Sequence, residues 1–481
     1  MVSEGSTFEG RDLHLDLGGP TGRRSSLEEA LREAIRSGRL PAQTRLPSTR
    51  ALAADLGLAR GTVTDAYDQL VAEGWLMARQ GSGTRVASAP LPAAFSGTEP
   101  ARGPGPPAEP GTANSPGHDF RPGRGDLSSF PRGAWVTALR RALRDADDSL
   151  LGYSDPRGLP VLREALAGYI GRARGLPVDP DRLVVCSGWV QGFALILEAL
   201  RDAGVARVAV EDPSMVRNPA TLRRFGLGVV SLPVDGDGAD PAGLRRRGPV
   251  GAVLLTPAHQ YPTGATLSAR RRAEWIDWAR QHDGLLIEDD YDGEFRYDRQ
   301  PVGALAALDP DRVIYAGTTS KTLAPGLRLG WLVLPDRWLE PVLALRPVVD
   351  RHSSAVDQMA LAEMITSGAF DRHVRHSRMR YRRRRDLLLT MLAEHAPAVT
   401  PHGIAAGLHT VVDLPFDGPT EDEVIEHLAR HDIAVHGLAS YHHRAVTAAP
   451  AALVVGFATP PEHAFALGAR ALVTALAEIY R

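Results

Sequence analysis

From about residue 119 onward the chain alternates short apolar runs with longer amphipathic stretches, and this alternation constrains the fold more than any other feature. The runs at 183–186, 208–210, 229–232, 252–255, 285–287, 313–315 and 329–334 have the length and branched side chains of buried strands. Between and after them, 160–174, 191–202, 268–282 and 371–395 repeat apolar residues at helical spacing. Strands buried on both faces and separated by helices predict an α/β domain with a mainly parallel sheet. No internal repeat is visible, and the arginine run 382–385 reads as a solvated helix face.

The first 118 residues follow other rules. Residues 1–22 are polar and glycine-rich and read as a loose tail. Leu27, Ala30, Leu31, Ala34 and Ile35 then mark a helix that Gly38 stops. Ser48 is placed to cap a second helix over 49–56, Gly57 ends it, and a third runs over 60–73 with Val63, Ala66, Tyr67 and Leu70 inward. Two short helices joined by Gly57-Leu58-Ala59 predict a helix-turn-helix, and strand-like 75–79 and 84–87 around Gln80-Gly-Ser-Gly83 predict a wing. Residues 23–88 carry ten arginines against seven acids, in a chain of 481 residues with formal charge −2. Any basic surface is therefore local to this module. From 89 to 118 proline, glycine, alanine and serine dominate, as in a linker, with a reach of about 30 Å as a coil and about 90 Å if extended.

Composition singles out one residue. The chain holds a single lysine, Lys321, against 54 arginines. Arginine replaces lysine wherever only charge is needed, but its guanidinium cannot act as an amine nucleophile. A lysine kept in such a background is either a chance survivor or an amine in use, with Schiff-base formation as the leading use. Thr318 and Ser320 place hydroxyls beside it, and Arg328 follows a Pro-Gly turn, so anion-binding groups surround the amine and phosphate is the natural guest.

Two sets of residues carry a resemblance. The stretch from Leu46-Pro-Ser-Thr-Arg50 through Arg60-Gly-Thr-Val-Thr64 to Tyr67 and Leu70 is similar to the winged helix-turn-helix of GntR-type bacterial repressors. The segment Ser320-Lys-x-x-x-Pro-Gly-x-Arg-x-Gly330 resembles the pyridoxal-phosphate (PLP) lysine motif of fold-type I aminotransferases. A winged helix, a linker and a complete aminotransferase-like domain together resemble the MocR subgroup of GntR-type regulators.

In the N-terminal module the resemblance implies that Arg60, Gly61, Thr62, Thr64 and Tyr67 belong to the DNA-reading element, with the leading end of the third helix in the major groove. Ser48 and Arg50 would hold phosphates, and Gly81 at the wing tip would approach the minor groove. In the C-terminal domain it implies that Lys321 forms a Schiff base with PLP, and that Thr318, Ser320 and Arg328 hold its phosphate. Ser187 and Gly188 would add backbone N–H groups at a helix start. Within Glu288-Asp-Asp-Tyr-Asp-Gly293, Asp289 would pair with the pyridinium and Tyr291 with the ring oxygen, with Asp290 as the alternative if the register shifts by one. Tyr261, in Thr256-Pro-Ala-His-Gln-Tyr-Pro-Thr-Gly264, stands where aminotransferases have asparagine, and with His259 it resembles the regulator branch. Tyr153 matches the tyrosine that aminotransferase dimers lend to the neighbour's phosphate, which implies a homodimer, domain-swapped in known relatives.

Three departures from the aminotransferase pattern shape the functional expectation. Met215 occupies the place of the aromatic that usually covers the ring, and Trp189 is the candidate replacement. Val190 precedes Gln191 where relatives often have a first glutamine. Residues 452–457 lack the arginine that clamps a substrate carboxylate, which leaves Arg217 as a possible partner for an effector carboxylate. The expected function is a regulator of vitamin B6 or amino-compound genes that binds operator DNA and responds to PLP or to a PLP–amine aldimine. An active aminotransferase with a DNA-binding appendage is the alternative. No metal is expected. The absence of a signal-like start or a spanning apolar run, with the lone Cys186, predicts a cytoplasmic protein without membrane contact.

Overall fold

The structure, a computed structural model, describes residues 5–8, 11–14, 23–79, 83–87, 116–297, 302–443 and 451–480. The chain divides into two compact units, residues 1–109 and 110–481. Gly81 and most of the expected linker lie outside the described residues.

The first unit opens with an antiparallel strand pair, β1 (Gly5–Phe8) and β2 (Arg11–His14), where the sequence reads as a loose tail. Three helices follow: α1 (Arg23–Arg36), α2 (Thr49–Asp55) and α3 (Arg60–Ala72), then the strand pair β3 (Leu76–Arg79) and β4 (Gly83–Val86). Leu27, Leu31, Leu52, Val63, Leu70, Leu76 and Val86 are all buried in one small core. Ser48 caps α2, its hydroxyl accepting from the Ala51 N–H at 3.2 Å.

The second unit begins with β5 (His118–Asp119), α4 (Arg132–Asp145) and α5 (Pro160–Arg174). The wound region comprises β6 (Leu183–Cys186), α6 (Trp189–Asp202), β7 (Arg207–Asp212), α7 (Arg217–Arg224), β8 (Gly228–Asp235), β9 (Gly238–Ala239), β10 (Ala252–Leu255), α8 (Ala269–His282), β11 (Leu285–Asp290), β12 (Val313–Thr318) and β13 (Gly330–Val333). These strands form one sheet in the order β6-β13-β12-β11-β10-β7-β8-β9. β12, β11, β10, β7 and β8 run parallel, whereas β13 is antiparallel to both its neighbours. A short connection after β12 allows only a hairpin-like return, which accounts for the reversed strand in a mainly parallel sheet. Trp275, Leu166 and Leu361 belong to one core that includes β12 residues such as Val313, while Phe193, Leu222 and Val342 belong to another that includes Ile314.

Elements outside the sequence expectation complete the unit: α9 (Asp336–Val349), α10 (Ala355–Thr366), β14 (Thr400–His402), β15 (Thr410–Asp413), α12 (Glu421–Arg430), β16 (Ile433–Ala434), β17 (His436–Gly437), β18 (Ala452–Val455) and α13 (Glu462–Ile479). The long expected helix is α11 (Ala369–His395). A second sheet, β14-β15-β18-β17, shares a core with Leu388, Leu392, Val424, Leu428, Leu472 and Leu476 of these helices. β5 pairs with β16, and the Gly456 N–H donates to Phe120 O at 2.6 Å. The start of the unit is thereby tied to the second sheet, and the loop after it reaches Lys321.

Candidate functional site

β11 and β12 lie parallel with Asp290 opposite Gly317, so their carboxyl ends deliver Asp289 and the 318–321 segment to one edge of the sheet. Lys321 Nζ donates to the Gly123 carbonyl. Burial lowers the Lys321 pKa, and Asp289 and Asp292 work against that fall. A depressed pKa increases the share of neutral, nucleophilic amine.

Alternation along β11 sends neighbouring acids to opposite faces. Glu288 accepts from the backbone N–H groups of Leu305 and Ala306, both at 2.9 Å. Asp290 is bound by Arg174 at 2.6 and 3.0 Å and by the Tyr315 hydroxyl at 2.6 Å. Asp289 lies between them in sequence, on the other face, and its side chain makes no hydrogen bond with any described residue. Burial pushes its pKa up to about 8, with the Lys321 charge opposing. Asp290, the register alternative, is thus committed to an arginine on the opposite face of the strand.

Tyr291 and His259 come together as expected residues around an unassigned one. His259 Nδ1 is 2.8 Å from Asp292 Oδ2 and 3.1 Å from the Tyr291 hydroxyl. Asp292 sits inside the acidic motif, but sequence spacing says nothing about which way its carboxylate turns. His409 stands 5.1 Å from the His259 ring, and burial pushes its pKa down to about 4. A Cβ at Gly407 would fall 2.0 Å from His259 Cε1, so glycine is required for this packing. The Tyr261 hydroxyl is 3.0 Å from that of Tyr441, which is 2.8 Å from His436 Nδ1. His409, Tyr441 and His436 come from the second sheet and its surroundings, and no motif announces them.

The anion-binding groups meet at the start of α6. Gly188 is its N-cap with φ +80°, and a Cβ there would stand 3.3 Å from Arg328 Nη1. Arg328, at φ 52°, donates its backbone N–H to Pro325 O at 3.3 Å, while its guanidinium makes no hydrogen bond or ion pair with any described residue. The Thr318 and Ser320 hydroxyls are 2.9 Å apart, and the Ser187 hydroxyl is 3.2 Å from that of Ser353, a residue the sequence reading missed. Trp189 stacks on Phe193 with centroids 4.8 Å apart and planes 15° from parallel. Met215 packs against the cluster of Tyr261, Tyr441 and Val454. Tyr153 is 83% exposed, with the Arg351 guanidinium over its ring at 4.4 Å from the ring centre. Arg217 is exposed at the first position of α7.

These residues fit PLP: a buried amine for the aldehyde, a buried carboxyl lacking a hydrogen-bond partner for the ring nitrogen, and a guanidinium over a helix start for the phosphate.

In the first unit Arg50, Arg60 and Gly61 are exposed, and Thr62 and Thr64 are half-buried, with the Thr64 hydroxyl donating to Arg60 O at 3.0 Å. Tyr67 lies inward, as its place on the third helix predicts, and this corrects the DNA-reading role that the resemblance implies for it. It is 3% exposed, and its hydroxyl donates to Pro47 O at 3.1 Å, so it belongs to the core that ties α3 to the turn before α2. The Ser48 hydroxyl oxygen is engaged in capping. Arg45 and Arg85 form an isolated bridge beside the wing, adding two cations that the motif did not mark.

Residues 23–86 match the family of bacterial regulatory proteins, gntR family, and residues 123–451 match aminotransferase class I and II. The chain is 35% identical to the pyridoxine biosynthesis transcriptional regulator PdxR of Corynebacterium glutamicum, over 92% of this chain and 93% of that one. The chain belongs to the MocR-type branch of the GntR regulators. It is also 34% identical to the probable rhizopine catabolism regulatory protein MocR of Rhizobium meliloti, over 83% of both chains. Among solved structures, an archaeal alanine:glyoxylate aminotransferase matches with TM-score 0.68 and 25% identity, covering 75% of this chain and 91% of that one. The MocR-type arrangement, a DNA-binding helix-turn-helix joined to a fold-type I, PLP-binding domain, therefore describes this chain. No described helix is long and apolar enough to cross a membrane.

Proposed function

We propose that this chain is a transcriptional regulator whose C-terminal domain holds PLP at Lys321 and whose winged helix reads an operator. The observation that carries the reading is the coexistence of a chemically competent amine site with a family-matched DNA-reading module in one chain. Bound PLP supplies an aldehyde that condenses with primary amines and a ring that withdraws electrons when its nitrogen is protonated. Asp289 keeps that nitrogen protonated, Tyr291 donates toward the ring oxygen, and His259, held by Asp292, orients Tyr291. Arg328, Ser187, Gly188, Thr318 and Ser320 bind the phosphate.

β18 and the residues after it through Phe457 carry no arginine, which weakens the site for turnover of amino acids and favours sensing over catalysis. The names of the relatives support control of vitamin B6 or amino-compound genes, with PLP itself or an amine joined to it as the signal and Arg217 as a contact for an effector carboxylate. The exposure of Tyr153 supports a homodimer, domain-swapped as in the subgroup, in which a neighbour's site takes up that side chain. A protein that reads chromosomal DNA works in the cytoplasm of a bacterium.

Occupancy regulates only by favouring one arrangement of the dimer over another. The test is a gel shift on the DNA upstream of the chain's own gene, titrated with PLP, using wild type and Lys321→Ala. A shift that responds to PLP in wild type and not in the variant supports the proposal. PLP-independent binding in both, or turnover of amino donors with keto acids at a useful rate, overturns it.

A further inference from the structure

The C-terminal helices gather metal-ligating side chains that the cofactor site does not use. His427 lies in the last turn of α12 and His431 is its C-cap, four residues on, with ring centroids 4.7 Å apart. Glu478, near the end of α13, stands beside them, and one ligand atom from each residue lies within 4.8 Å of the others.

Three observations point to a cation. His431 Nε2 and Glu478 Oε2 are 3.6 Å apart, too far for a hydrogen bond. Two ligands of one tetrahedral ion, with bonds of about 2.05 Å, stand about 3.4 Å apart. His427 Nε2 is enclosed and has no hydrogen-bond partner among the described residues, a cost that coordination would remove. Both helices end here, so the negative ends of two helix dipoles face the cluster.

The opposing charges are Arg430, whose Nη2 is 3.5 Å from His427 Nδ1, and Arg470, which shares a shallow cavity with His431. The first contact is at the limit of hydrogen bonding and is given up easily when Nδ1 takes the imidazole proton.

We propose that His427, His431 and Glu478 bind a divalent transition ion of the zinc class, with water as the fourth ligand. Two imidazoles and a carboxylate suit such an ion better than magnesium or calcium. The ion would clamp α12 to α13, whose inner faces meet through Leu428 and Leu476 in the same core. This site is independent of the cofactor reading.

The experiment is a Co²⁺ titration of the tag-free, PLP-loaded full chain, followed by visible ligand-field absorbance and then by displacement with Zn²⁺. The expected result is one ion per chain, with affinity lowered about tenfold or more by His431→Ala, which removes a donor, and by Glu478→Gln, which replaces an anionic donor with a neutral one. Both side chains are partly exposed, at 44% and 41%, so the variants keep the fold, and unchanged PLP absorbance verifies this. Absence of tetrahedral cobalt bands in wild type, or bands that survive in a His427→Ala, His431→Ala double variant, overturns the proposal.

Discussion

Replacing Asp289 with asparagine is expected to move stability and cofactor affinity in opposite directions. In the cofactor-free protein, burial holds the carboxyl at a pKa of about 8, against an ordinary value of 3.8. Between those values the folded state binds more protons than the unfolded chain, so stability falls as pH rises. Each pKa unit is worth about 1.4 kcal/mol, and about three units separate 3.8 from pH 7. The ceiling is about 4 kcal/mol, and relaxation and coupling to Lys321 reduce it to about 2 kcal/mol. Asparagine has the same shape and no charge to bury. The apo variant should therefore match wild type near pH 4 and melt about 4 °C higher at pH 7. PLP affinity should instead fall by about 10- to 100-fold, the loss of a charge-assisted hydrogen bond to the ring nitrogen. Thermal melts of apo protein from pH 4.5 to 8, with PLP titrations of both proteins, provide the measurement. A pH-independent difference, or an apo variant less stable than wild type, would show that Asp289 is not a buried carboxyl awaiting a cation.

Tyr67→Phe should cost about 1 kcal/mol of stability in the N-terminal unit, the worth of the bond to Pro47, and leave operator affinity unchanged in a gel shift. Substantially weakened DNA binding at unchanged stability would return Tyr67 to the reading face. Arg60→Ala should weaken specific DNA binding by about 1–3 kcal/mol and spare PLP uptake; parallel loss of both would contradict separate modules. Arg328→Met should lower PLP affinity by about tenfold or more through the phosphate, while the analogue pyridoxal, which lacks phosphate, binds both proteins alike.

Local sequence determined a good part of this protein. Alternating apolar runs marked the main strands, Ser48 marked a helix cap, and a single lysine in an arginine-rich chain marked the amine proposed to hold the cofactor, because each signal acts over a few residues. Asp289 could be narrowed only to a pair, since period-two alternation says that neighbours face opposite sides but not which side holds the ligand. In the folded chain Asp290 is bound by Arg174, a residue 116 positions away, and that pairing is what favours Asp289 for the ring nitrogen. The same limit hid Asp292, His409, Tyr441 and His436, which gain meaning only where the second sheet closes on the first. Tyr67 shows the converse: a residue inside a DNA-binding motif can be spent on packing. Chain-local chemistry sets which groups are available; three-dimensional burial and pairing set which of them stay uncommitted enough to meet a ligand.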